Sequence, residues 1–429
     1  MVWSDHTPNP GLIEYKKVIE PVTARIEGGK LVVKNHYEFI DLSHLKSTWH
    51  LVSESGNTEP ADLELPVIKG GEEGTVSLPE DASFGSENTW LALNFNLKND
   101  TPWAKKGHEV AWAQVPLFHE VKPAPVPQVS PSSTPFTVNE KNGRLYITTP
   151  SFKSSLTFDL VRGTLQWSDE AGKIITKGPE LELYRALTQN DVGESGDNLD
   201  WSRFRLGAAK TQLRSATWTQ KDGVVTIVSN VRVGPVVLQW ACLATMTYTI
   251  SDGLVTLHTK GSFTGTHPAT LPRIGLTLGL PKAYGSAEWF GRGPGESYRD
   301  KKASARFGRW KAGPEDLNTP YEWPQENGNR SDTRWVRVSA SKPGEDGGVT
   351  LEARIVDRPF HFSLRKHETA ELDRAKHPHD LAEADDMILN LDYDQHGIGT
   401  GSCGPGPWEQ HRLHAGPFEF TTVFKVVEQ

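Results

Sequence analysis

Arg292, Glu296, Arg299 and Asp300 crowd around Gly293-Pro294-Gly295, inside a stretch at 289–310 that reads WFGRGPGESYRDKKASARFGRW. Guanidinium and carboxylate groups so placed have two uses. They can grip the hydroxyls of a ligand or the surface of a partner domain, or they can pair with one another and hold a long loop in shape. Charges beside glycines commonly order a loop, so the second role is the expected one.

Three other stretches carry groups capable of chemistry. Residues 184–205 hold Asn190, Asp191, Asp197, Asn198 and Asp200 with Gly193 and Gly196 among them. Such acceptors resemble a calcium loop only superficially, because their spacing misses the D-x-[DN]-x-[DN]-G pattern. In KHETAELDRAKHPHDL, His367, His377 and His379 lie near acidic residues. A zinc site can be drawn from them, but no H-E-x-x-H is present and His-Pro-His sets the last two rings on an extended segment, so a loop role is preferred. Residues 396–408 place five glycines after a strand pattern. No lysine or helix follows, which excludes a phosphate cradle and leaves a loop carrying Cys403 and Trp408. Cys403 has no neighbouring base that would mark it as a nucleophile.

The elements that must position these groups read as β throughout. From 16 to 121, alternation in Lys30–Lys34, Thr48–Val52, Thr75–Leu78 and Trp90–Phe95, punctuated by turn residues, predicts an immunoglobulin-like sandwich. Residues 122–135 contain five prolines and predict an extended linker. From 136 to 429 the β signal continues, and an all-β domain of that size requires large stacked sheets. Residues 1–15 include two prolines and a glycine in HTPNPG, so no regular element is expected before Leu12. So abrupt a start looks cut from something longer.

The bulk composition narrows the partners. With 46 Lys+Arg against 54 Asp+Glu, the net charge of -8 gives no general attraction to nucleic acid. No apolar run approaches the ~20 residues that cross a bilayer, and the N-terminus has no export signal pattern. Cys242 and Cys403 are too few for a disulfide framework and read as free thiols in the cytosol. Cleaving a glycosidic bond requires two carboxyls on a rigid scaffold, and no βα alternation is present to build a barrel. The chain alone is therefore not expected to perform that reaction.

Taken together, these motifs resemble the C-terminal third of β-galactosidases of glycoside hydrolase family 2. Residues 289–300 resemble the family's W-x-G-x-GP-x-E-x-Y-x-D. Arg185-Ala186 with Asn190-Asp191-x-Gly193 resembles R-A-P-x-D-N-D-x-G, with Gln189 where the family has Asp. Thr319-Pro320-Tyr321 and Pro324 to Gly328 resemble T-P-Y-x-x-P-x-E-N-G. Leu372-Asp373, Ala375-Lys376-His377 and Gly397-Ile398-Gly399 follow in family order.

The resemblance implies a fold and a role. Residues 1–15 correspond to the segment leaving the family's barrel, 16–121 to its second immunoglobulin-like domain, and 136–429 to a large antiparallel β-supersandwich, galactose-mutarotase-like in fold. The nucleophile and general acid lie in the barrel, so no position here inherits either role. The chain would be a small subunit or C-terminal portion of an enzyme that hydrolyses terminal β-galactosides such as lactose, with retention, partnered by the barrel-containing portion in an oligomer. It would hold no cofactor, although magnesium and sodium serve the complete enzyme. Asn190, Asp191, Gly193, Asp197, Asp200, Cys403 and Trp408 would lie at the substrate rim. Arg292, Glu296, Tyr298 and Asp300 would form a loop network, with Lys301 where the family has Arg. A stacking tryptophan of the family falls at Cys403 or Gly404 here, with Trp408 a few residues later. The alternatives are a non-catalytic carbohydrate-binding module that uses the concave face of the supersandwich, and a truncated gene product.

Overall fold

Apolar side chains at alternate positions become sheet faces along most of the chain. The computed structural model describes residues 2–427 except 83, 86–87, 122, 128–135, 150–153, 171, 195, 252 and 340–349. It divides into two compact units: Met1–Lys122 with Arg292–Pro294 and Lys302–Arg309, and Pro123–Gly291 with Gly295–Lys301 and Trp310–Gln429. No described helix is long and apolar enough to cross a membrane.

The first unit is the expected sandwich. Val22–Glu27, Lys30–Asn35 and Glu73–Ser77 form one antiparallel sheet, and Leu45–Ser53, Trp90–Leu97 and Glu109–Pro116 the spine of the other. Their inward residues, among them Leu31, Val33, Leu91, Leu93, Phe95 and Ala111, form one apolar cluster. The start of the chain departs from expectation, because a helix runs over Pro10–Val18. The Asn9 side chain accepts from the Leu12 N–H at 3.0 Å, and Pro10 sits where a helix has no use for an N–H, so the prolines start the helix rather than forbid it. Of the predicted linker, 122 and 128–135 lie outside the described residues.

The second unit has three antiparallel sheets among its described residues: a nine-stranded one, a five-stranded one over residues 137–175, and a second five-stranded one. All three feed one apolar core, with Ile227, Leu257 and Val336 from the first, Leu145 and Phe158 from the second and Leu276, Leu389 and Phe362 from the third. This is the stacked-sheet supersandwich that the size of the region demands.

The third sheet positions the site. Its strands run in the order Lys177–Glu182, Arg273–Pro281, Asp386–Gln395, Phe360–Arg365, Arg330–Thr333. Leu276 pairs with Leu391, and Leu391 with Phe362, on the core side. One residue along, Thr277, Asn390 and Ser363 are neighbours across the strands. Because side chains alternate, the opposite face carries Asn390, Asp392, His361, Ser363 and Arg365. All five are buried.

Candidate functional site

Burying so polar a face requires partners, and residues 324–331, buried without a break, supply them. Glu326 accepts from Arg273 Nη2 at 3.2 Å and from Arg365 Nη1 at 2.7 Å. Arg365 Nη2 also donates to Asn390 Oδ1 at 2.7 Å, and Arg273 Nε lies 3.1 Å from Asp392 Oδ1. Gln395 joins Asp392 to Asn329, donating at 2.6 and 3.1 Å. Burial alone would push the Glu326 carboxyl up, but Arg365, Arg273 and Arg185 outweigh it and hold the group below its ordinary range. The chain thus covers this face with its own charged residues, leaving no open polar surface there.

Glu296 is a second closed centre. Its Oε1 accepts from Lys301 Nζ at 2.8 Å and Tyr321 Oη at 2.5 Å, and its Oε2 from Thr319 Oγ1 at 2.8 Å and Gly328 N at 3.0 Å. Burial again raises this carboxyl, and Lys301 with these hydrogen bonds brings it below its ordinary range. Tyr298 is buried beside it, and its backbone closes a turn on Lys301. Desolvation, with Glu296 and Glu326 nearby, pushes the phenol well above its usual value.

Asp300 reaches elsewhere, accepting from Ile398 N at 2.9 Å and Gly399 N at 2.8 Å. A Cβ on Gly397 would sit 2.7 Å from its carboxylate, so glycine permits the approach. Arg292 belongs to the first unit, where Nη1 donates to the carbonyls of Lys302 and Ala305 at 3.2 and 2.9 Å. Of the expected loop network, Glu296 holds 319–328 with Tyr298 beside it, Asp300 holds 397–399 and Arg292 braces 302–305.

Asp300 anchors one of two interlocked loops. Asn190 Nδ2 donates to Gly399 O at 2.8 Å, and its Oδ1 accepts from Ser402 Oγ at 2.8 Å. At Gly193 a Cβ would lie 2.1 Å from the Gly401 carbonyl oxygen, so only glycine lets the backbones meet. Asp197 Oδ2 lies 3.0 Å from His396 Nε2, while His396 Nδ1 accepts from Leu413 N at 3.1 Å. That acceptor role assigns the proton to Nε2. Although burial raises the Asp197 carboxyl, His396 holds it below its ordinary range.

One expected rim residue faces inward. Asp191 is buried, with its oxygens 3.1 and 3.3 Å from Arg185 Nη2 and one of them 2.8 Å from Thr188 N. In this structure it shapes the loop through these bonds. Asp200 Oδ2 is bound by Ala269 N at 3.0 Å. Cys403 and Trp408 are exposed, Trp408 at 71% and Leu199 on the facing loop at 79%. The other thiol, Cys242, is buried, and desolvation pushes it up to about 12. Sequence reading missed His396 as the partner of Asp197 and Arg185 as the anchor of both loops, donating to His396 O at 2.7 Å and Gly397 O at 3.2 Å. The signal for Arg185 was its place in the family motif, which did not give its partners.

Comparison with known proteins places relatives on this geometry. A family model described as "Beta galactosidase small chain" matches residues 151–424, and one described as "Beta-galactosidase, domain 4" matches 31–118. A β-galactosidase of Kluyveromyces lactis is 32% identical over 97% of this chain and 38% of its own length. One from Arthrobacter sp. strain B7 is 29% identical over 99% and 42%, and one from Vibrio cholerae 29% over 96% and 38%. The chain therefore spans about two fifths of the length of these curated relatives. Among solved structures, a galactose 1-epimerase from Lactobacillus acidophilus NCFM covers 68% of this chain and 98% of its own length at 8% identity, with a TM-score of 0.36, too low to bear on fold or function.

Proposed function

We propose, since this chain belongs to the β-galactosidase small-chain family, that it is the C-terminal portion or small subunit of an enzyme hydrolysing terminal β-D-galactosides such as lactose. A barrel-containing portion supplies the catalytic glutamates, and the complex works as an oligomer in the cytosol. This chain walls the substrate rim and performs no bond cleavage itself.

The observation that carries this reading is the loop pair 190–200 and 397–408. It is locked from beneath by Arg185, Asp300 and Asn190, yet it presents the exposed ring of Trp408 outward. A rigid base under an exposed indole is what stacking on a sugar or packing on a partner requires. Asp191, Asp197 and Asp200 are engaged by Arg185, His396 and Ala269. No step is assigned to magnesium or sodium in this chain.

The test is reconstitution with a barrel-containing portion and a chromogenic galactoside. Hydrolysis should be negligible with either part alone and appear on mixing. Full-rate hydrolysis by the isolated chain, or silence of the mixture, would refute the proposal.

A further inference from the structure

We propose that His377, His379 and Asp380 form a surface site for one divalent transition-metal ion of the zinc, nickel or copper kind. Among the described residues, this is the only set of three His, Cys, Asp or Glu side chains whose ligand atoms all lie within 4.8 Å of one another. His377 Nδ1 is 3.4 Å from Asp380 Oδ2, and His379 Nε2 is 3.7 Å from Asp380 Oδ1. A tetrahedral ion with ligands at about 2.0–2.2 Å sets ligand-to-ligand edges of roughly 3.3–3.6 Å. The His377–Asp380 edge is thus already at that length, and His379 lies near the other carboxylate oxygen.

The hook that carries these groups is held from outside the cluster. Asp380 Oδ2 accepts from Lys376 N at 3.2 Å and His377 N at 3.0 Å, so the carboxylate is aimed before any ion arrives. Arg374 Nη2 donates to Asp380 O at 2.9 Å and is itself paired with Glu371, whose Oε1 accepts from Ala382 N at 2.8 Å. Pro378 restricts the backbone between the two histidines.

Loop ordering accounts for these bonds to Asp380 and for the His377 ring, which shares a capping box with Asp380, but it gives no use to the exposed imidazole of His379. The two rings lie nearly parallel, 9° apart with centroids at 5.2 Å, and their side chains are 63% and 80% exposed. Exposed, stacked rings contribute little to packing and can turn toward a shared ion at small cost in desolvation. Two imidazole nitrogens with one carboxylate select zinc, nickel or copper over magnesium or calcium, which take oxygen donors. His367 stays outside the set, with its Nδ1 3.0 Å from Ala382 O. With three protein ligands, water completes the coordination.

The experiment titrates the full chain, freed of metal by chelator and dialysis, with zinc chloride by calorimetry and with cobalt chloride by visible absorption. One equivalent of zinc should bind, unaffected by excess magnesium, and cobalt should develop ligand-field bands. His379→Ala and Asp380→Asn should each weaken binding by about tenfold or more. His379→Ala should leave the metal-free melting curve unchanged, because the ring is exposed. Absence of both zinc heat and cobalt bands, or a His379→Ala chain that binds as tightly as wild type, would overturn the proposal. Neither outcome bears on galactoside hydrolysis, which the reconstitution assay tests separately.

Discussion

The covered polar face of the third sheet and the exposed loop pair are built from the same residue types and use them in opposite ways. On the sheet, Arg273, Arg365, Glu326 and Asp392 pair with one another side chain to side chain with almost no exposure. In the loops, Asn190, Asp200 and Asp300 spend their polar atoms largely on backbone groups, and Gly193 lets two chains touch. An ionic lattice shut away from water resists change, because removing one member strands another in a low dielectric. Loops held by backbone hydrogen bonds keep a shape while leaving side chains such as Trp408 outward. A carboxylate in a sequence motif can therefore serve the loop rather than a ligand, as Asp191 and Asp300 do here.

That contrast can be broken or sharpened experimentally. Glu326→Ala should have the largest effect, costing about 3–5 kcal/mol or preventing folding, because Arg273 and Arg365 would be left buried without their shared partner; a loss below ~1 kcal/mol in urea unfolding would show that the lattice is not what holds the sheet. Acid should act through the same groups. Glu326 and Glu296 titrate lower in the fold than in the unfolded chain, so the unfolded chain takes up protons first as pH falls. Their stabilisation is present above about pH 4.3 and lost progressively below it. A melting temperature that stays flat from pH 6 to about pH 3 would contradict this.

Asp300→Asn should cost about 2 kcal/mol, since one of two backbone N–H groups would face an amide donor instead of an oxygen. Limited proteolysis should then cut first within 397–408. For Gly193→Ala the added Cβ must displace Gly401, and we expect a loss of about 1 kcal/mol with a weakened reconstituted activity. Trp408→Ala should change stability by less than ~0.5 kcal/mol, yet reduce reconstituted hydrolysis or raise KM. If both stability and kinetics are untouched, the exposed indole has no part in the rim.

The sheets were legible because alternation is a local signal. Segments such as Val224–Gly234 and Leu254–Thr264 bury alternate residues much as their patterns predict. The helix at Pro10–Val18 was missed because proline was read as a breaker, whereas at a first helical position it is a starter. The site was legible in its segments and not in its connections. Arg292 and Asp300 are eight residues apart and belong to different compact units. Asp191 reads as one more acceptor in a polar loop, and nothing in 184–205 shows that its own upstream Arg185 turns it inward.

By itself the sequence determined an all-β chain of two strand-rich regions, the family motifs in order, and the glycines at which backbones come close. Only the tertiary structure decided which polar groups are consumed and which remain for a partner or a ligand. The physical reason is range. A strand's two faces follow from neighbours two residues apart, but Asp300 finds its donors 98 and 99 positions away and Arg185 finds its acceptors 211 and 212 positions away. The free energy of a buried charge is set by those distant partners.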